Sequence, residues 1–296
     1  MVSPLFSSHH PVGANMPETN TAGSQLCPGC RKLINRSLNR CPYCGMKHPG
    51  SRWKNTLLAG SASDAYPLVT VLITVNVIMF ILAIAIDPRF TGFNPFEFLA
   101  PSNQSLLILG STGAMPLFQL QRWWSLVAAG FLHGGLLHLV FNMLALRQLA
   151  PLMILEFGTN RTIILYTLGG VGGFFISSLA GVSFTIGASA AICSLIGALL
   201  YYGRSRGGIY GRDIFSQIGG WAVGIALFGF LVPGINNWGH GGGMAVGALL
   251  AYLLGYREKK QETFSHKVLA MGCIIGTGLI LAWSCLNGIL FLLFGK

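Results

Sequence analysis

The segment Leu126–Leu146, LVAAGFLHGGLLHLVFNMLAL, decides the fold class of this chain. It contains no Asp, Glu, Lys or Arg, and most of its side chains are apolar. A helix needs about 20 such residues to cross the roughly 30 Å hydrocarbon core of a bilayer. The segment therefore predicts a transmembrane helix, although it also contains two histidines and an asparagine.

Further apolar runs indicate that the chain crosses the membrane several times. Of the 296 residues, 52% are hydrophobic and only 9% are charged, which excludes an ordinary soluble domain. We expect an all-α polytopic membrane protein with seven spans. The six others are Pro67–Ile86, Thr162–Ile186, Gly187–Gly203, Ile214–Pro233, Trp238–Tyr256 and Val268–Phe294.

The distribution of basic residues predicts the orientation. With the amino terminus in the cytoplasm, sixteen Lys and Arg lie on the inner side and three on the outer side, an excess that follows the positive-inside rule. No signal-peptide-like run occurs in the first 60 residues. We therefore expect a multi-pass protein of the plasma (inner) membrane, with the long connection Asp87–Trp124 on the outer side and partly in the membrane interface.

Polar side chains within the predicted spans suggest chemistry, because such groups are costly in lipid. They are His133, His138 and Asn142 in the second span and His240 at the start of the sixth. Hydrogen bonding between helices is the simplest explanation, and a metal site is another. All eight carboxylates fall outside the spans or at their ends, so a Ser-His-Asp triad and an aspartyl pair are disfavoured. A hydroxyl activated by histidine alone remains.

Six serines in the spans are candidates for that hydroxyl: Ser177, Ser178, Ser183, Ser189, Ser194 and Ser284. Ser189 differs in its setting, Gly187-Ala188-Ser189-Ala190-Ala191, where no large side chain crowds the hydroxyl. Small residues also recur after Ser189 and after His240 at helical spacing, which lets two helices approach closely. This pattern favours a Ser189–His240 pair, although small-residue stripes more often mark plain packing.

These motifs resemble those of the rhomboid family of intramembrane serine proteases, from about Gln121 to Gly255. His133, His138 and Asn142 match the family's H-x-x-x-x-H-x-x-x-N. Gly187-Ala188-Ser189-Ala190 resembles its G-x-S-G, and Gly239-His240-Gly241-Gly242-Gly243 resembles its histidine motif.

The resemblance implies a rhomboid-like six-helix core, here with one additional carboxy-terminal transmembrane helix. It implies that Ser189 is the nucleophile, that His240 is the general base, and that His138 and Asn142 stabilise the oxyanion, with His133 as a possible accessory. The activity would be serine endopeptidase cleavage of single-pass transmembrane proteins at the outer side of the bilayer, with no cofactor for catalysis.

Three departures from the family pattern leave a second function open. Ala190 follows the serine where the family usually has Gly, Cys193 replaces an aromatic residue, and the usual Trp-Arg pair reads Trp124-Ser125 with Arg122 upstream. A catalytically weak or inactive rhomboid-like protein that binds membrane clients is therefore the alternative. A transporter or channel would also explain polar groups in spans, but we find no inverted repeat.

The amino-terminal region contains four cysteines in two C-x2-C pairs: Cys27, Cys30, Cys41 and Cys44. Such a spacing is typical of a zinc ribbon, and a segment this short has too small a core to fold without a metal. Iron or two disulfides are the alternatives, and nucleic acid is not an expected partner. The predicted organisation is a disordered tail (1–25), a zinc ribbon (26–48), a linker (49–65), the membrane core (66–257), and a loop with the seventh helix (258–296).

Overall fold

The structure is a computed structural model that describes residues 23–27, 32–35, 37–43, 45, 65–89 and 98–294. The chain divides into two compact units, residues 1–59 and residues 60–296. The described part of the second unit is dominated by long helices, and the all-α polytopic membrane fold is confirmed. The finer domain limits expected from the sequence stay a prediction.

The first unit contains a small antiparallel sheet formed by β1 (Ser24–Leu26) and β2 (Leu33–Asn35). Ile34 of β2 is buried in a small cluster with Cys27 and Cys41. The Cys27 N–H donates to the Lys32 carbonyl at 2.9 Å, so the chain turns back directly after β1. Cys30 and Cys44, the other two predicted zinc ligands, lie outside the described residues.

In the second unit the described α-helices are α1 (Ala65–Ile86), α2 (Asn103–Leu109), α3 (Ser125–Ala128), α4 (Leu136–Phe157), α5 (Thr159–Leu179), α6 (Ser189–Arg206), α7 (Gly208–Leu231), α8 (Asn237–Leu254) and α9 (Phe264–Phe294). Each predicted span overlaps one of the seven long helices. The predicted start of the second span at Leu126 is wrong. The chain there forms α3 and a 3-10 turn (Ala129–Phe131), and α4 begins only at Leu136 because Gly135 is extended.

Five of the helices described here are long and apolar enough to cross a membrane by themselves: Pro67–Ile86 within α1, α4, α5, α7 and α9. The two other long helices, α6 and α8, are rich in small and polar residues. They pack extensively against each other and against α5. Most of α6 is buried, whereas α8 keeps one exposed face with Trp238, Leu249, Tyr252 and Leu253.

Glycines allow the backbones of α5, α6 and α8 to come into direct contact. A Cβ placed at Gly247 of α8 would collide with the Ser194 carbonyl of α6, and one at Gly197 of α6 would collide with the Met244 carbonyl of α8. On the α5 side, a Cβ at Gly173 would lie 2.8 Å from the Gly239 carbonyl oxygen. Close packing between small residues is how membrane helices associate when burial of apolar surface supplies no driving force.

The connection between α8 and α9 is fastened to the junction of α4 and α5. Arg161 is fully buried, and its guanidinium donates to the carbonyls of Phe157, Lys260 and Gln261. The Glu262 carboxylate accepts from the Arg161 backbone N–H and from the Asn160 amide. At its other end α9 is held by Ser284, whose hydroxyl donates to the Leu109 carbonyl.

The connection between α1 and α4 is folded. It contains the short strands β3 (Pro88–Arg89) and β4 (Ala100–Pro101), α2, a π-helical turn (Met115–Gln119) and α3. Thr112 exchanges both backbone hydrogen bonds with Thr185, which lies in the segment between α5 and α6. That segment is not helical, so the predicted third span ends at Leu179 rather than at Ile186.

Candidate active site

Three helices begin close together, and each carries a predicted site residue in its first turn. His138 lies near the start of α4, Ser189 is the first residue of α6, and His240 lies near the start of α8. The N-terminus of a helix has unpaired N–H groups and a partial positive charge. No side chain caps the start of α6. The arrangement therefore favours a negative charge that develops next to Ser189.

Gly187 creates the space between Ser189 and His138. Its φ of 117° favours glycine, and its N–H donates to the Ala129 carbonyl at 2.9 Å. A Cβ at this position would lie 2.7 Å from Nε2 of His138 and 3.6 Å from Oγ of Ser189. The absence of a side chain therefore lets the His138 ring lie against the Gly187 backbone, on the side where Oγ of Ser189 is also found.

The hydrogen bonding of His138 assigns its tautomer. The Gly134 N–H donates to Nδ1 of His138 at 3.4 Å, so Nδ1 is the acceptor. In a neutral imidazole the other nitrogen then carries the proton. Nε2–H of His138 is consequently a donor that lies beside Gly187, on the same side as Oγ of Ser189.

Asn142 lies one turn after His138 on the same face of α4, as the sequence predicts. Its side chain is buried, and its amide donates to the His138 carbonyl at 2.9 Å. This bond fixes the side chain against its own helix. The amide has a second N–H, so one donor stays available to a group next to His138.

His240 lies in the first turn of α8, which packs directly against α6, and no hydrogen bond between His240 and Ser189 occurs among the described residues. A Cβ at Gly243 would collide with the Ala190 carbonyl and would lie 3.3 Å from Cβ of Cys193. Nδ1 of His240 is buried and has no hydrogen-bond partner among the described residues. The ring therefore keeps an unused polar atom in a place where such an atom is normally paired.

His133 is not on a transmembrane helix, contrary to the prediction. It lies in the turn that precedes α4, where it is fully buried with its ring centroid 5.0 Å from that of His138, edge to face. Neither ring nitrogen has a hydrogen-bond partner in the described part of the chain. The described residues also contain no group of three or more His, Cys, Asp or Glu suited to a metal ion.

Asn236 is a positioning residue that the sequence interpretation missed. It caps α8, because its side-chain oxygen accepts from the Gly239 N–H at 2.9 Å. Its amide donates to the hydroxyls of Ser177 (2.6 Å) and Thr185 (2.9 Å). One side chain thus joins the helix that carries His240 to α5 and to the segment that leads to Ser189. The preference for Asn at a helix start was the available signal.

Ala190 and Cys193, the two departures from the family pattern that lie nearest to Ser189, both fit into the packed interior. Ala190 is buried in a cluster with Leu117, Leu126, Ala129 and Phe174, so its methyl group fills space in the interior. Cys193 is buried against Gly243 of α8. No aromatic ring contact with His240 occurs among the described residues.

The part of the chain that contains this site is similar to known proteins. Residues 120–257 match the family model described as Rhomboid domain. RHOMBOID-like protein 4 of Arabidopsis thaliana is 32% identical over 166 residues, which are 55% of this chain and 42% of the relative. RHOMBOID-like protein 6, mitochondrial, of the same plant is 32% identical over 163 residues, 54% of this chain and 52% of the relative.

Rhomboid protease GluP of Bacillus subtilis (strain 168) is 33% identical over 153 residues, which are 52% of this chain and 30% of that protein. The chain thus matches between 30% and 52% of the length of these three relatives. The matched region contains α4 to α8 and every residue of the candidate site. The domain match at residues 120–257 and the rhomboid-named relatives together support a rhomboid family protein.

Proposed function

We propose that the chain is an intramembrane serine endopeptidase that uses Ser189 as nucleophile and His240 as general base. The observation that carries the proposal is the meeting of three helix starts, which brings Ser189 and His138 together beside Gly187. The similarity to a named rhomboid protease supports peptide-bond hydrolysis. All eight carboxylates lie outside the predicted spans or at their ends, so a dyad rather than a triad is the proposed arrangement.

In the proposed first step His240, in its neutral form, accepts the Ser189 proton while Oγ attacks the carbonyl carbon of the substrate. The carbonyl oxygen becomes an oxyanion next to Gly187. There it accepts from Nε2–H of His138, from the second amide N–H of Asn142 and from the Ser189 backbone N–H. His240 then returns the proton to the leaving amine, and water hydrolyses the acyl-enzyme.

The substrates that we propose are single-pass transmembrane proteins, cleaved in or near their membrane segments. On the orientation proposed from the basic residues, the site opens to the outer side of the plasma membrane. One relative is named mitochondrial, so the choice of membrane rests on the charge distribution alone. Protease protection of tags at the two ends of the chain, in intact cells, tests the orientation.

Cleavage of a labelled transmembrane substrate in liposomes tests the proposed nucleophile. Ser189→Ala should abolish cleavage and labelling by a fluorophosphonate probe. Ser178→Ala is a matched control, because Ser178 is also buried in the bundle but its hydroxyl donates only to the Phe174 carbonyl of its own helix. Equal cleavage by Ser189→Ala and the wild-type protein would exclude the mechanism.

His138→Ala tests the oxyanion role separately. Loss of one such donor typically lowers kcat by about two to three orders of magnitude. The fluorophosphonate probe should still label Ser189 slowly, because the nucleophile and base are intact. Unchanged kcat in a folded His138→Ala variant would exclude the role.

A second candidate function is the binding of membrane clients without cleavage. Ala190 and Cys193, which stand where the family pattern has Gly and an aromatic ring, motivate it. A cell in which Ser189→Ala replaces the wild-type protein distinguishes the two functions. A normal phenotype in that cell, together with a defect on deletion, would support client binding.

We also propose that Cys27, Cys30, Cys41 and Cys44 bind a structural zinc ion. Cys27 and Cys41 meet in one buried cluster, and the chain turns back after Cys41, where the Gly45 N–H donates to the Cys41 carbonyl at 2.9 Å. Elemental analysis of the purified chain should give one zinc per molecule, and none in Cys27→Ser. Iron in its place would overturn the choice of metal.

A further inference from the structure

A second concave surface, which shares no residue with the site at Ser189, lies between the folded connection and the carboxy-terminal half of α9. It is an open groove whose volume, including solvent space, is about 860 Å³. Arg122, Trp124, Trp283 and Asn287 supply its polar groups, and Leu290 and Phe291 belong to its apolar wall. We call these six residues the α9 groove.

Both walls of the α9 groove are fixed by the protein. On one wall the guanidinium of Arg122 donates to the Leu107 carbonyl at 2.9 Å, and the Trp124 ring packs on Gly110. On the other wall Ser284 of α9 binds the Leu109 carbonyl. Since Leu107, Gly110 and Leu109 lie in or directly after α2, both walls are anchored to the same short helix. Contacts within the protein therefore hold both walls of the groove in place.

The polar chemistry of the groove is that of a site for an anion. Arg122 has five N–H donors, and one of them is used on Leu107. The described residues contain one ion pair, Arg206 with Glu258, so no described carboxylate neutralises Arg122. No described hydrogen bond satisfies the Asn287 amide, which lies within the apolar helix α9. A guanidinium next to an amide is well suited to phosphate oxygens.

The surroundings point to a lipid as the source of the phosphate. Asn287 belongs to a helix that is long and apolar enough to span a membrane, and Trp283 on the same helix is 52% exposed. Tryptophan is enriched where hydrocarbon meets the headgroups, and Arg122 and Trp124 lie in the connection that we expect at that depth. Leu290 and Phe291 add an apolar wall against which an acyl chain can lie.

We propose that the α9 groove binds one phospholipid, with its phosphate on Arg122 and Asn287 and an acyl chain along the apolar wall. The phosphate of the lipid accepts from both side chains, which satisfies the unused donors of Arg122 and gives the Asn287 amide a partner in the membrane. The proposal is independent of catalysis at Ser189, because the two sites share no residue.

Native mass spectrometry of the full-length protein, purified after exchange into vesicles of deuterated phosphatidylglycerol and phosphatidylcholine, tests the proposal. The wild-type protein should retain one phospholipid. Arg122→Gln should lower that occupancy at least tenfold, and Arg122→Lys should lower it less. Arg212→Gln, the same change at an exposed arginine of α7, should leave it unchanged.

Asn287→Leu keeps the test decisive if Arg122→Gln fails to fold, because Asn287 makes no described hydrogen bond within the protein. It should reduce retention at least threefold while the thermal unfolding midpoint stays within a few degrees of wild type. Equal retention by wild type and Asn287→Leu would overturn the proposal. Equal competition by glycerol phosphate or inorganic phosphate would identify a free-phosphate site instead, and photo-crosslinks from position 287 to a peptide would identify a protein partner.

Discussion

Glycine has opposite roles in the centre of the bundle and in helix α7. In α5 56% of the most apolar stretch is buried inside the protein, whereas the value for α7 is 11%. Gly242, Gly243 and Gly247 of α8 each touch a neighbouring helix, but Gly220 and Gly224 of α7 have no atom near the position of a Cβ. Glycine in the centre permits contact, whereas Gly220 and Gly224 leave the middle of α7 unpacked.

This difference separates a fixed part of the molecule from a part that is easy to displace. Local opening costs least where few buried contacts are lost. The start of α7 is held to α6, because Gly211 faces the Gly203 carbonyl, and Gly229 near its other end lies against the Asn237 side chain of α8. The middle of α7 has no such contact at Gly220 and Gly224, and Phe230 and Leu231 are about 80% exposed. We infer that Ser189 and His240 sit on the fixed part, and that α7 moves more readily than α5 or α8.

The largest effect is expected from alanine at a central glycine. Gly247→Ala would drive a methyl group into the Ser194 carbonyl and should lower the free energy of unfolding by about 3 kcal/mol. Gly224→Ala should instead raise it by about 0.5–1 kcal/mol, because the methyl meets nothing and alanine favours a helix. Unfolding in detergent, monitored by circular dichroism, measures both. Equal effects would refute the contrast between centre and α7.

The next largest effect is expected at Asn236. Asn236→Ala removes a helix cap and two hydrogen bonds to hydroxyls, and should lower the free energy of unfolding by about 2 kcal/mol. Because the same bonds align α8 with the segment before Ser189, kcat should fall more than KM changes. Asn236→Asp keeps the cap but loses the two donors. If its kcat equals that of wild type, the positioning role is wrong.

A smaller effect is expected when a hydroxyl that joins two helices is removed. The Ser194 hydroxyl of α6 donates to the Leu165 carbonyl of α5 at 2.8 Å. Ser194→Ala should cost about 1 kcal/mol. Ser178→Ala should cost less, since that hydroxyl donates only within α5. Thermal unfolding of the two variants side by side shows whether the bond between helices matters.

The smallest effect is expected at the exposed end of α7. Phe230→Ala removes a ring that is 80% exposed, and should change the free energy of unfolding by less than about 0.5 kcal/mol. Cleavage should be equal to or faster than that of the wild-type protein if this end of α7 moves during substrate entry. A loss of stability above 1 kcal/mol would mean that the end of α7 is packed more firmly than its exposure indicates.

Helix positions and the pairing of α6 with α8 could be predicted because local properties determine them. Charge-free runs give the spans, and the small residues at Gly197, Gly243 and Gly247 mark where two helices meet. The beginning of α4 could not be predicted. The residues of α3 and α4 are similarly apolar, so the apolar run continues across the turn at Gly134 and Gly135. Hydropathy therefore does not show where α4 begins.

The hydrogen bonds around the site could not be predicted from the sequence for a different reason. Asn236 pairs with Ser177 and Thr185, which lie 59 and 51 residues away along the chain, and no local pattern indicates such partners. The tautomer of His138 likewise depends on a backbone N–H at Gly134. Sequence motifs identified the residues of the candidate site, but their orientation depends on the packed structure.

The buried guanidinium of Arg161 has a consequence for biosynthesis. Two of its acceptors, the carbonyls of Lys260 and Gln261, follow it by 99 and 100 residues. The ribosome therefore completes α5, α6, α7 and α8 while this cation still lacks most of its partners. Insertion of α9 brings the missing carbonyls to it. The connection that leads into α9 thus completes the hydrogen bonding of Arg161, and a nascent chain arrested before residue 260 should be a substrate for membrane quality control.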